Sequence, residues 1–182
     1  MKKILVLTAS PKKNGNTDKM ADAFIAGARE AGHEVHKFET SFKHIGGCTA
    51  CNLCWSKGNA CIHEDDFREL EPLLESCEML VIASPLYWFC LPQQIKGAID
   101  RLYAYGGTGG LRPLAIKESC FFICGELAEK EEYQPVLEIY RLMTKYLNWK
   151  DRGVIQTGGL DKKGAIEASG VLEQAREMGR NA

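Results

Sequence analysis

Little in this chain of 182 residues is long, lopsided or repeated. No apolar run approaches the roughly 20 residues a helix needs to cross a bilayer, so no membrane span is expected. The formal charge is only -1, with 23 basic against 24 acidic side chains, which removes the electrostatic case for nucleic acid or a membrane surface. The basic start Met1-Lys2-Lys3 leads into an apolar stretch that ends by about residue 7. That is too short for a secretory leader, and a cytoplasmic protein is expected. Two phosphate signatures are also missing. Without G-x-x-x-x-G-K-[ST] a nucleotide triphosphatase is disfavoured, and without G-x-G-x-x-G at the first helix so is a dinucleotide fingerprint.

What is present is globular: 45% hydrophobic and 26% charged residues, long enough for one domain over 1–182 with a substantial core. Three apolar runs, Ile4-Leu5-Val6-Leu7, Met79-Leu80-Val81-Ile82-Ala83 and Ser119-Cys120-Phe121-Phe122-Ile123-Cys124, lack polar alternation. They read as parallel strands buried on both faces. Weaker strands are expected at 34–39 and 153–156. Helical spacing fills the intervals at about 17–31, from Asp65-Asp66 onward with Pro72 inside the pattern, at Ile95–Leu102, 131–146 and 162–178. Strands alternating with helices imply an α/β, doubly wound five-stranded parallel sheet. Because the first, third and fourth strands are the most apolar, they belong in the centre, which is the flavodoxin-like order 2-1-3-4-5 with helices on both faces. In such a sheet ligands sit beyond the carboxyl ends of the strands, where the order reverses.

Two loops leave strands one and three at that rim. The first, Ser10-Pro11-Lys12-Lys13-Asn14-Gly15-Asn16-Thr17, is polar and opens a helix. Unpaired helix N–H groups, the side chains of Ser10, Asn16 and Thr17, and Gly15 allowing close approach would suit a phosphate. The alternative is an ordinary loop in which Asn16 or Thr17 caps the helix. The second loop, Pro85-Leu86-Tyr87-Trp88-Phe89, carries an aromatic wall suited to a flat apolar cofactor or, equally, to a homodimer interface. A glycine-rich loop follows at 106–110.

Cysteine is abundant, and four of the eight, Cys48, Cys51, Cys54 and Cys61, crowd a long loop at about 41–64. Soft thiolates at that spacing can hold an iron–sulfur cluster, such as [4Fe-4S]. Structural zinc, and reduced thiols or an adventitious disulfide, are the other readings. His44 and His63 flank the loop and read as surface histidines; the other four cysteines read as small core residues.

The two rim loops, together with Lys96-Gly97-Ala98-Ile99-Asp100-Arg101, resemble the flavodoxin-like NAD(P)H-dependent FMN reductase family. The cysteine loop makes the chain most similar to the branch that includes iron–sulfur flavoproteins, whose compact motif has this form. Ala9 departs from the family, which usually has glycine there. The resemblance implies FMN, its phosphate on Ser10, Lys12, Asn16 and Thr17, and its ring on Pro85, Leu86, Tyr87, Trp88 and Phe89, with Gly125 as a further contact. It implies an oxidoreductase in which electrons pass from NAD(P)H through flavin N5 to a quinone, a flavin or another small acceptor. No catalytic side chain is nominated, because the cofactor does the chemistry. The alternatives are an iron–sulfur flavoprotein relaying electrons through a cluster on Cys48, Cys51, Cys54 and Cys61, and a binding module that has lost its cofactor. Relatives of this type imply a homodimer or homotetramer.

Overall fold

A computed structural model describes residues 1–106 and 112–182. Most of the glycine-rich loop expected at 106–110 lies outside the described residues. Five strands form one parallel sheet: β1 (Lys3–Thr8), β2 (Glu34–Glu39), β3 (Met79–Pro85), β4 (Glu118–Cys124) and β5 (Lys150–Thr157), in the order β2-β1-β3-β4-β5. This is the expected flavodoxin-like arrangement.

The alternation of side chains along each inner strand divides the core in two. Leu5, Leu7, Leu80, Ile82, Phe121 and Ile123 face one layer. Ile4, Val6, Met79, Val81, Phe122 and Cys124 face the other. Helices α1 (Asn16–Glu30) and α6 (Val171–Arg180) cover the second layer. Against the first pack α2 (Phe67–Ser76), α3 (Gln93–Asp100), the short α4 (Tyr103–Gly106) and α5 (Gln134–Leu147).

Several boundaries differ from expectation for physical reasons. The α2 helix starts at Phe67 and runs through Pro72. The expected helix at 131–146 is a 3-10 turn, Lys130–Tyr133, followed by α5. The last helix is split in the same way, into a 3-10 turn (Ala165–Ala168) and α6, with Gly170 between them in the left-handed region at φ 72°. The β5 strand is longer than expected because its first residues, Lys150-Asp151-Arg152, are charged edge residues that hide the strand pattern.

Three buried thiols illustrate the core. Burial pushes Cys77 and Cys120 up to about 12, and Cys124 to about 11. Cys48 and Cys51 are exposed. A thiol reagent added to the native protein at pH 8 is expected to label Cys48 and Cys51 first and to reach Cys77, Cys120 and Cys124 only after unfolding, as peptide mapping would read.

Candidate functional site

The β1–α1 loop is held from below and within. Thr40 Oγ1 donates to Thr8 O at 2.9 Å and Ser41 Oγ to Ala9 O at 2.7 Å, so the end of β2 fixes the loop's entry. Lys12 N donates to Ser10 Oγ at 3.2 Å, and Gly15 N to Lys12 O at 2.9 Å. A Cβ at Gly15 would sit 2.7 Å from that carbonyl oxygen, so the tight approach requires glycine. Asn14, with φ 54°, turns its N–H to Asp18 Oδ2 at 2.7 Å. Gly15 offers α1 no side-chain cap, and among the described residues no acceptor meets the N–H groups of Asn16, Thr17 and Asp18. A helix N-terminus with its donors unspent attracts an anion.

The side chains of the loop are less available than their chemistry suggests. Asn16 is fully engaged: its Nδ2 donates to Lys162 O at 2.9 Å, and its Oδ1 accepts from Gly164 N at 2.9 Å and Ile166 N at 3.3 Å. Thr17 Oγ1 lies 3.1 Å from Cys124 Sγ and is buried. What this pair offers outward is therefore backbone N–H.

Opposite stands the β3–α3 loop. Leu86 N donates to Cys124 O at 2.8 Å, and Tyr87 and Cys90 exchange two backbone bonds of 3.0 Å. That leaves Trp88 (φ 47°) and Phe89 (φ 61°) as the two residues of a tight turn with both φ positive. Asparagine and glycine usually fill such a turn, and bulky residues held there are strained. Trp88 is 93% exposed.

A cavity of about 270 Å³ opens between these loops, lined by Ser10, Lys12, Asn16, Thr17, Pro85, Leu86, Tyr87 and Gly125. Eight of the ten residues expected at a cofactor thus meet at one rim. Trp88 and Phe89 do not line it, because the turn directs them to solvent. The cavity also has a third wall that motif reading misses: Glu126 and the β5–α6 segment Leu160-Asp161-Lys162-Lys163. Leu160 N donates to Gly125 O at 3.0 Å, tying this segment to the β4 exit. The available signal was topological, since β5 ends at the same rim and a basic pair follows it. The cavity fits a flavin nucleotide in kind: unspent N–H groups and lysines at one side, apolar Pro85 and Leu86 at the other.

The cysteine loop forms a second, smaller cavity of about 30 Å³, lined by Cys48, Cys51, Cys54, Cys61, His63, Arg101 and Tyr103. Ala50, Asn52 and Trp55 all have positive φ, so the loop winds tightly. Burial raises the Cys54 thiol, and the neighbouring Cys61, Cys51 and Cys48 raise it further. His63 Nε2 pairs with Thr49 Oγ1 at 2.9 Å, while His44 stands outside the cavity and uses its backbone N–H on Asp66 Oδ2 at 2.7 Å. Below lies a buried ion pair: Arg101 Nη1 and Nη2 donate to Asp65 Oδ1 and Oδ2 at 2.7 and 2.5 Å. Asp65 also accepts from the N–H of Gly46 and Phe67, which ties both ends of the loop to α3's end. The Nε of Arg101 is buried and has no partner among the described residues. The donor chemistry suits a cluster of soft, anionic sulfur. The arrangement as it stands does not close around one, since among the described residues no three His, Cys, Asp or Glu side chains converge and all eight cysteines are free.

A model of the NADPH-dependent FMN reductase family matches residues 2–126. An iron-sulfur flavoprotein of Archaeoglobus fulgidus is 41% identical over 104 residues, 57% of this chain and 47% of that protein. One from Methanosarcina thermophila is 29% identical over 99 residues, 54% of this chain and 51% of that protein. The chain thus spans about half the length of the curated relatives it matches. Among solved structures, the NAD(P)H:quinone oxidoreductase from Methanothermobacter marburgensis superposes with TM-score 0.75 at 20% identity, over 99% of this chain and 95% of that one. An azoreductase from Bacillus anthracis gives 0.74 at 16%, over the whole of both chains. At those identities the likeness is one of fold. No described helix is long and apolar enough to cross a membrane.

Proposed function

Since the chain belongs to the NADPH-dependent FMN reductase family, we propose that it binds FMN in the 270 Å³ cavity and works as an NAD(P)H-dependent oxidoreductase. The observation that carries this reading is the meeting of the uncapped α1 N-terminus and the Pro85-Leu86-Tyr87 wall at one rim. Bound FMN would supply transfer of electrons between a nicotinamide and a small acceptor such as a quinone or another flavin. The chain's own task is placement. The N–H groups of residues 16–18 and Lys12 hold the anionic end, Pro85 and Leu86 provide a rigid apolar floor, and Gly125 keeps that floor open. A Cβ at Gly125 would stand 2.9 Å from Tyr133 Oη and 3.2 Å from Leu86 Cβ. The exposed Trp88 turn supports a homodimer or homotetramer, in which the strained aromatics would find cover.

A second reading, favoured by the four cysteines that line one cavity, makes the chain an electron carrier with an iron–sulfur cluster on Cys48, Cys51, Cys54 and Cys61. It requires the loop to draw its sulfurs together, and Arg101 Nε would be at hand as a donor.

An anaerobic absorption spectrum, taken before and after NADPH, tests both. The first reading expects two flavin bands, bleached by NADPH, in protein supplied with FMN. Stoichiometric iron and sulfide beneath a broad absorbance would favour the second. A supplied protein that stays colourless would overturn both.

A further inference from the structure

The third wall of the cavity is not left to chance. Asn16 spends every polar atom of its side chain on the 162–166 backbone. One turn on, Lys19 pairs with Glu167. The start of the segment is fixed by Leu160 N on Gly125 O and by Gly159 N on Leu127 O, both 3.0 Å. A loop pinned at both ends presents its remaining side chains from a defined place. Those side chains are Lys162 and Lys163, both exposed, which line the cavity together with Lys12. The acids that share the wall, Glu126 and Asp161, leave the cations in excess by one.

We propose that this segment is a phosphate clamp, in which Asn16 is a positioning residue and Lys162 and Lys163 make the site prefer a phosphorylated flavin over riboflavin. The proposal rests on the FMN reading of the cavity and adds a basis for selectivity to it. It also reassigns Asn16, whose amide holds the clamp and does not itself meet the anion. The lysines lie beyond the 2–126 span matched by the family model.

The test titrates flavin-free protein with FMN and with riboflavin, at low and at high salt. K162Q/K163Q is expected to weaken FMN binding about tenfold while riboflavin binding stays within about twofold, because only the phosphate loses a charge-assisted partner. The salt dependence of FMN binding should flatten in the same variant. Asn16→Ala should weaken FMN to a similar extent, yet add little in the K162Q/K163Q background, since its effect passes through the lysines. An unchanged FMN-to-riboflavin ratio in K162Q/K163Q would overturn the clamp, as would Asn16 and lysine effects that simply add. If Asn16→Ala fails to fold, the exposed lysine pair decides alone. A wild-type chain that binds riboflavin and FMN equally removes the clamp but leaves a flavin site; one that binds neither removes the cofactor reading and the clamp together.

Discussion

Replacing Arg101 with methionine is expected to destabilise the fold by about 3–5 kcal/mol, a fall in Tm of roughly 6–20 °C for a chain of this size. The side chains of Arg101 and Asp65 are only 2% and 9% exposed, and the guanidinium also lies over the Phe67 ring, 5.1 Å from its centroid. Methionine would keep most of the apolar packing and strand Asp65 as a buried, unpaired carboxylate. Restoring neutrality with Asp65→Leu in the same chain should recover much of the loss, because the cost lies in the orphaned charge. The pH dependence has a definite sign. Burial alone would push the Asp65 carboxyl up, but Arg101 and the N–H groups of Gly46 and Phe67 outweigh it and hold the group below its usual range. A lowered carboxyl contributes stability that is present above its unfolded-state value and is lost as pH falls through the folded one. The gap between wild type and Arg101→Met should therefore be full near pH 7 and shrink in acid. A gap that held constant down to pH 3 would show that the ion pair is not the source.

The second large effect is expected where α1 meets α6. A Cβ on Gly27 would overlap the carbonyl oxygen of Arg176, and one on Gly179 would overlap that of Phe24. The two helices touch backbone to backbone, and neither carbonyl can rotate aside. Gly27→Ala should cost about 2–3 kcal/mol, read as a lower urea midpoint, although alanine in a free helix would gain nearly 1 kcal/mol over glycine. Gly32→Ala is the control: its Cβ meets nothing, and only its φ of 83° opposes the change, so its cost should be smaller.

How much of this is legible in the sequence depends on how far apart the interacting residues lie. The three inner strands announced themselves, because Ile4 and Leu5 bury against opposite layers and leave no polar gap in the run. The two rim loops were legible for the same local reason, a strand that stops and a helix that starts at Asn16. Other features depend on distant partners. Nothing near Asn16 indicates that its amide will close on Gly164, 148 residues later. Nothing in Tyr87-Trp88-Phe89-Cys90 states that a two-residue turn will rotate the indole outward. The third wall carried no motif, only its place after β5. For the cysteine loop, spacing places the four cysteines together, yet the distances among their sulfurs depend on a backbone with four residues, Ala50, Asn52, Trp55 and Gly58, in the left-handed region.

The reach from Asn16 to Gly164 also sets an order of events during synthesis. A ribosome adding about 5–20 residues per second needs on the order of ten seconds to travel from one to the other. The nascent chain can pair its first strands in that interval, but its rim stays open on one side. Closure of the rim is thereby deferred until residues 162–166 have been made.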